Sequence, residues 1–103
     1  MFKKDGRTAV LVSPGFGSGF STWNSKSPEM AVDFDLVEAF LKEDMERFNY
    51  ILEEKYNEND SLYFTGVENL RVEWVDEGKK FRVEEYDGSE SVEVFDEEVW
   101  FIA

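Results

Sequence analysis

The apolar period of this chain changes near residue 60, and that change restricts the possible folds more than any other feature. Before it, Val37, Phe40, Leu41, Met45, Phe48, Ile51 and Leu52 recur at spacings of three and four, which places them on one helical face. Asp35, with Glu38 three residues on, has the pattern of a capping box at the start of that helix. Lys42-Glu43-Asp44 divides the pattern, and Asp44 is suited to cap a second helix. After the turn-like segment Asn57–Ser61 the period becomes two. Leu70, Val72 and Trp74 alternate with Arg71 and Glu73, and Phe81 and Val83 alternate with Arg82 and Glu84. This alternation predicts a buried Trp74. Glu77-Gly78 and Asp87-Gly88 read as turns, the second as a tight hairpin because its residue types suit positive φ. Ser91–Phe95 and Val99–Ile102 are the last strands expected. Upstream, Thr8–Val12 is a short run apolar on both faces, and therefore a central strand. The pattern predicts one α+β domain spanning residues 1–103, with one early strand, one or two helices and an antiparallel meander sheet from the C-terminal half.

Charge and composition narrow the function. Hydrophobic residues make up 42% of the chain and aromatics 17%, enough for a real core with rings left over for an oligomer interface. There is no cysteine, hence no disulfide framework and no thiolate chemistry. No signal-peptide pattern opens the chain, and no apolar run approaches the ~18 residues needed to span a bilayer. The expectation is a cytoplasmic protein. The net charge is −13, unevenly spread. Residues 1–28 carry Lys3, Lys4, Arg7 and Lys26 against Asp5 alone, a balance of +3, which leaves −16 on residues 29–103. Such a surface repels nucleic acid and anionic membrane. It either faces a basic partner, for example by imitating DNA, or serves solubility while the less acidic segment holds an anion.

That less acidic segment contains the most unusual stretch, Ser13–Asn24 (SPGFGSGFSTWN). Gly15, Gly17 and Gly19 alternate with bulkier residues, and Phe16, Phe20 and Trp23 stand beside the hydroxyls of Ser21 and Thr22 and the amide of Asn24. Glycines after a strand can aim backbone N–H groups at an anion, and a ring can stack on a base. The named nucleotide motifs are absent. There is no Gly-Lys-Ser/Thr triplet, and Phe20 stands where the dinucleotide fingerprint needs its third glycine. Three readings stay open: a ligand site built from Gly15, Phe16, Gly17, Gly19, Phe20, Ser21, Thr22, Trp23 and Asn24, with Tyr86 beside it; a hydrophobic loop plugged into the core or a subunit interface; or a protein-binding loop.

Catalysis has little support in the residues. The chain has no histidine, and Ser18 lacks the flanks of a nucleophile elbow. Among 24 acidic residues nothing marks a converging pair, and Asp96, Glu97 and Glu98 read as a solvated edge. Asp33 with Asp35, or the Asn57–Asp60 cluster, offers oxygen ligands but no EF-hand pattern. Neither a metal nor a cofactor is expected, and the protein is expected not to be an enzyme.

The Ser13–Asn24 loop, the acidic helical segment ending in Glu53–Tyr56 and the hairpin Phe81–Glu90 (FRVEEYDGSE) resemble a family of small tailed-phage proteins, over nearly the whole chain. The resemblance implies no catalytic residue. It implies a context, the cytoplasm of an infected bacterium, where small phage accessory proteins counter host defence. Two functions are therefore expected as alternatives. One is a non-catalytic sponge, working as a homo-oligomer, that sequesters a small anionic nucleotide-derived immune signal through the glycine loop. The other is an acidic, DNA-mimic-like inhibitor that binds a basic host protein.

Overall fold

The computed structural model describes residues 1–64, 66–95, 102 and 103. The expected strand Val99–Ile102, but for Ile102, and the Asp96–Glu98 run lie outside the described residues.

The architecture is α+β. Strand β1 (Lys3–Lys4) turns through Asp5-Gly6 into β2 (Arg7–Val12), helices α1 (Phe34–Leu41) and α2 (Met45–Ile51) follow, and β3 (Arg71–Asp76), β4 (Lys80–Tyr86) and β5 (Ser89–Phe95) complete the order. As its two apolar faces predict, β2 is central. It pairs antiparallel with β1 on one side and with β3 on the other, Ala9 opposite Trp74 and Leu11 opposite Val72. Ala9 and Leu11 point into a core with Phe20, Met30, Leu36, Val37, Ala39, Phe48 and Leu52. Val10 and Val12 point the other way, into a smaller cluster with Ala31 and Val75, on which Phe81, Val83 and Val92 of β4 and β5 pack. The β1–β2–β3 sheet thus lies between the helices and the β4–β5 hairpin.

The C-terminal strands are antiparallel, but they do not form one continuous meander. β3 pairs with β2, while β4 and β5 form a separate two-stranded sheet in which Tyr86 pairs with Ser89. Glu77-Gly78 is a turn, as expected, with the Lys79 N–H on the Asp76 carbonyl at 3.2 Å, and it leads from one sheet to the other. Period-two patterning sets which face of a strand is buried; it carries no information on which edge finds which partner. Trp74 is half-buried; its ring lies 6.4 Å from Phe2 and carries the Arg7 guanidinium at 5.9 Å.

The helix pair breaks where the sequence predicts, and Asp44 Oδ1 accepts the Arg47 N–H at 3.1 Å as the cap of α2. The cap of α1 is Asp33, not Asp35. Asp33 has extended backbone and accepts the Leu36 N–H at 3.0 Å, while Asp35 lies inside the first turn. Glu38 does not reach back to form a capping box; its carboxylate takes the Arg47 guanidinium at 2.9 Å. After α2 a π-helical turn (Leu52–Tyr56) carries Tyr56 back toward Asp33. None of the described helices is long and apolar enough to cross a membrane.

Candidate functional site

The two most distinctive stretches of the sequence, the glycine loop and the Asp87-Gly88 turn, form one structure. Asp87 and Gly88 both have positive φ, 48° and 83°, as the tight hairpin requires. The loop wraps this turn. The Gly17 N–H donates to the Asp87 carbonyl, the Ser89 hydroxyl donates to the Pro14 carbonyl at 2.6 Å, and the Glu90 N–H donates to the Ser13 carbonyl at 2.7 Å. A Cβ at Gly88 would lie 2.7 Å from the Ser18 nitrogen and 2.8 Å from the Trp23 ring, so only glycine fits. Gly19 packs under the same indole, where a Cβ would come within 2.6 Å of it.

At the centre lies Glu90, 2% exposed. One carboxylate oxygen accepts the Ser13 N–H at 2.9 Å. The other accepts the Phe20 and Thr22 N–H groups, each at 2.9 Å, and the Thr22 hydroxyl. The loop does present amides to an anion, and the anion is the protein's own side chain. These amides are therefore not open to a ligand. Glu90 was not singled out from the sequence. Its signal was positional: by alternation it shares a face with Val92, so it is an acidic residue at an inward, apolar-patterned position just past a turn.

The predicted site residues separate into three groups. Phe20 is core, 1% exposed, its ring 6.3 Å from Phe48, and it cannot stack on a ligand. Asn24 is spent internally: its amide donates to the Phe20 and Tyr63 carbonyls and accepts the Tyr63 N–H at 2.9 Å. Thr22 is tied to Glu90, Ser21 is buried, and Gly15 accepts the Ser18 hydroxyl through its carbonyl. Gly17 and Gly19 serve the loop–turn junction. Phe16 and Tyr86 remain exposed and meet edge to face, with ring centroids 6.5 Å apart. Trp23 borders a cleft.

That cleft has a volume of about 240 Å³ and is lined by Trp23, Tyr56 and Tyr63, by Ser25, Ser27 and Ser61, and by Asn24, Lys26 and Leu62. Its walls are fixed from behind. Asn24 clamps the Tyr63 backbone, and Tyr56 donates its hydroxyl to Asp33 Oδ2, which also takes the Lys55 ammonium at 2.6 Å. Burial pushes the Asp33 carboxyl up, but the hydrogen bonds from Lys55, Tyr56 and the Leu36 amide outweigh it and hold the group below the ordinary aspartate value. Burial, and then the bond to Asp33, push the Tyr56 hydroxyl well above its ordinary value. Lys26 is exposed and forms no ion pair with the described carboxylates. Lys26 and Tyr63 were missed as site residues, though Lys26 is the lone cation of its segment. Among the described residues no three carboxylates converge as a metal site, and Asp33 and Asp35 are engaged by Lys55 and Arg47 respectively.

No family model, curated protein or solved structure matches the chain.

Proposed function

We infer that this protein is a non-catalytic binding module that holds a small anionic, base-containing ligand in the cleft between Trp23 and Tyr63. The observation that carries the reading is the set of residues lining that cleft: the aromatic residues Trp23, Tyr56 and Tyr63, three serines, and Lys26, which forms no ion pair with the described carboxylates. Base–aromatic stacking contributes ~1–3 kcal/mol per base, and walls already fixed by Asn24 and Asp33 lose little freedom on binding. The volume of about 240 Å³ falls below the roughly 300–1,000 Å³ of sites that enclose a drug-sized ligand. The cleft therefore suits one base or one phosphate, and a dinucleotide has to extend onto the surface or into a second copy of the cleft in a homo-oligomer. In the phage context that the resemblance implies, the captured molecule is a nucleotide-derived immune signal of the infected cell.

Native mass spectrometry of the purified protein, followed by thermal shift against mononucleotides and cyclic dinucleotides, tests this. The expected result is a retained or added nucleotide, recovered unchanged on heat denaturation, with stabilisation of roughly 2.7 kcal/mol at a hundredfold excess over Kd. At exposed positions, Tyr63→Ala should remove most of that shift, and Lys26→Ala, with binding roughly tenfold weaker, about half of it. A protein that retains no ligand and melts identically with every nucleotide is not such a module.

A further inference from the structure

The outward face of the β4–β5 hairpin ends in exposed rings set among carboxylates. Tyr86 is 80% exposed and Phe16 71%, and they touch edge to face. Two exposed rings in contact, rimmed by polar residues, offer an apolar contact point on the surface. Their setting is rigid, since Tyr86 opens the turn that the glycine loop encloses, and the Gly17 N–H ties the residue after Phe16 to Asp87. The alternation of β4 puts Arg82 and Glu84 on the same face as Tyr86, and the register adds Glu93 opposite Arg82. Arg82 alone bridges Glu84 and Glu93, leaving that cluster one negative charge in excess. Glu93 beside it pushes the Glu84 carboxyl up, the mark of two carboxylates sharing too little positive charge. Glu85 and Asp87 flank Tyr86 in the chain, are exposed, and form no ion pair among the described residues.

We propose that Phe16, Tyr86 and the carboxylates around them form a docking point for an arginine-bearing segment of a basic partner protein. Arginine fits for two reasons. Its planar guanidinium stacks on ring faces, and its fork of N–H donors takes a carboxylate in the same contact. The charge of −16 on residues 29–103 steers a basic partner toward this surface. This surface is separate from the Trp23–Tyr63 cleft and does not depend on its having a ligand.

The test is fluorescence anisotropy of a labelled peptide of alternating arginine and glycine, against its lysine and glutamate counterparts. The arginine peptide should bind best, and the Phe16→Ala/Tyr86→Ala double variant should weaken it by on the order of tenfold, with its melting temperature retained because both rings are exposed. Glu84→Gln should weaken it further. Glu46→Lys, on α2 away from the hairpin, should change it by no more than about twofold, and so should Lys26→Ala. The proposal is overturned if the ring variant binds as wild type does, or if Glu46→Lys costs as much as the ring changes, which would mean bulk charge alone. It is also overturned if the ring variant instead dissociates an oligomer in sedimentation, which would assign the rings to a second copy of the chain.

Discussion

Glu90 accepts the backbone N–H of Phe20 at 2.9 Å across a separation of 70 residues. This bond, with those from Ser13 and Thr22, makes the glycine loop and the last hairpin one unit. Glu90→Ala leaves three amides without their acceptor. An unsatisfied buried donor costs about 1–3 kcal/mol, so the variant should lose at least ~3 kcal/mol in urea denaturation. Glu90→Gln keeps one acceptor oxygen but turns an NH₂ group toward N–H donors, and roughly half that loss is expected. A loss below about 1 kcal/mol for Glu90→Ala would mean that the loop is held by its other contacts.

The Gly88 position combines two demands that can be separated. Gly88 and Gly78 both have positive φ, 83° and 87°, but a Cβ at Gly78 meets open space whereas one at Gly88 meets the Ser18 backbone and Trp23. Gly78→Ala should therefore cost only the left-handed penalty, about 1–2 kcal/mol. Gly88→Ala should cost at least twice as much, and its Trp emission should shift. Equal losses by chemical denaturation would show that the loop yields at no cost.

Acid stability should carry the signature of Asp33. Its folded-state carboxyl titrates below the ordinary aspartate value, so its contribution is complete above the unfolded value of ~3.9 and is lost as pH falls from there through the depressed folded value. Tyr56 gives the opposite limb. Its raised value means stability present below the unfolded tyrosine value of ~10 and lost as pH rises through the folded one. Asp33→Asn keeps a capping side chain for Leu36 and removes the charge paired with Lys55. Melting temperatures of wild type and variant should differ most near neutral pH and converge toward pH ~2. A constant gap would place the effect in packing.

Trp74 shows how far the sequence could be read. The alternation on β3 correctly turns Leu70, Val72 and Trp74 toward the helical core, yet Trp74 is only half-buried. The pattern names a face; it does not say how much of a ring as large as an indole the neighbours will cover, and among the described strands β3 pairs with β2 alone. Trp74→Ala should therefore cost about 1–3 kcal/mol, less than the ~3–5 kcal/mol expected for the fully buried Phe48→Ala.

The same distinction runs through the rest of the chain. The central place of β2, the Asp44 cap and the Asp87-Gly88 turn were legible because each is local. Asp33 in place of Asp35 was not, because either aspartate could precede the apolar pattern and the choice is made by Lys55 and Tyr56, 22 and 23 residues away. Glu90 was not, because one inward carboxylate among 24 acidic residues is recognised only once the loop is seen to close on it. Glycine spacing marked a loop that holds an anion. That a ligand would supply the anion does not follow from the spacing, and in the fold Glu90 occupies those amides.

The Trp23 indole offers a direct reading of the cleft. It is held between Gly19 and Gly88 on one side and borders the cleft with Lys26 and Tyr63 on the other. Trp23→Ala is a poor probe, since it removes the ring that both glycines pack against. The tryptophan should be kept, and the other two, Trp74 and Trp100, replaced by phenylalanine. In that background a nucleotide entering the cleft should stack near or on the indole and change its emission, with a midpoint matching the thermal-shift Kd. Lys26→Ala should weaken the titration by roughly tenfold, as expected for losing one charged contact worth ~1.5 kcal/mol. Binding seen by calorimetry with no change in Trp23 emission would place the ligand elsewhere on the molecule, and the cleft reading would have to be given up.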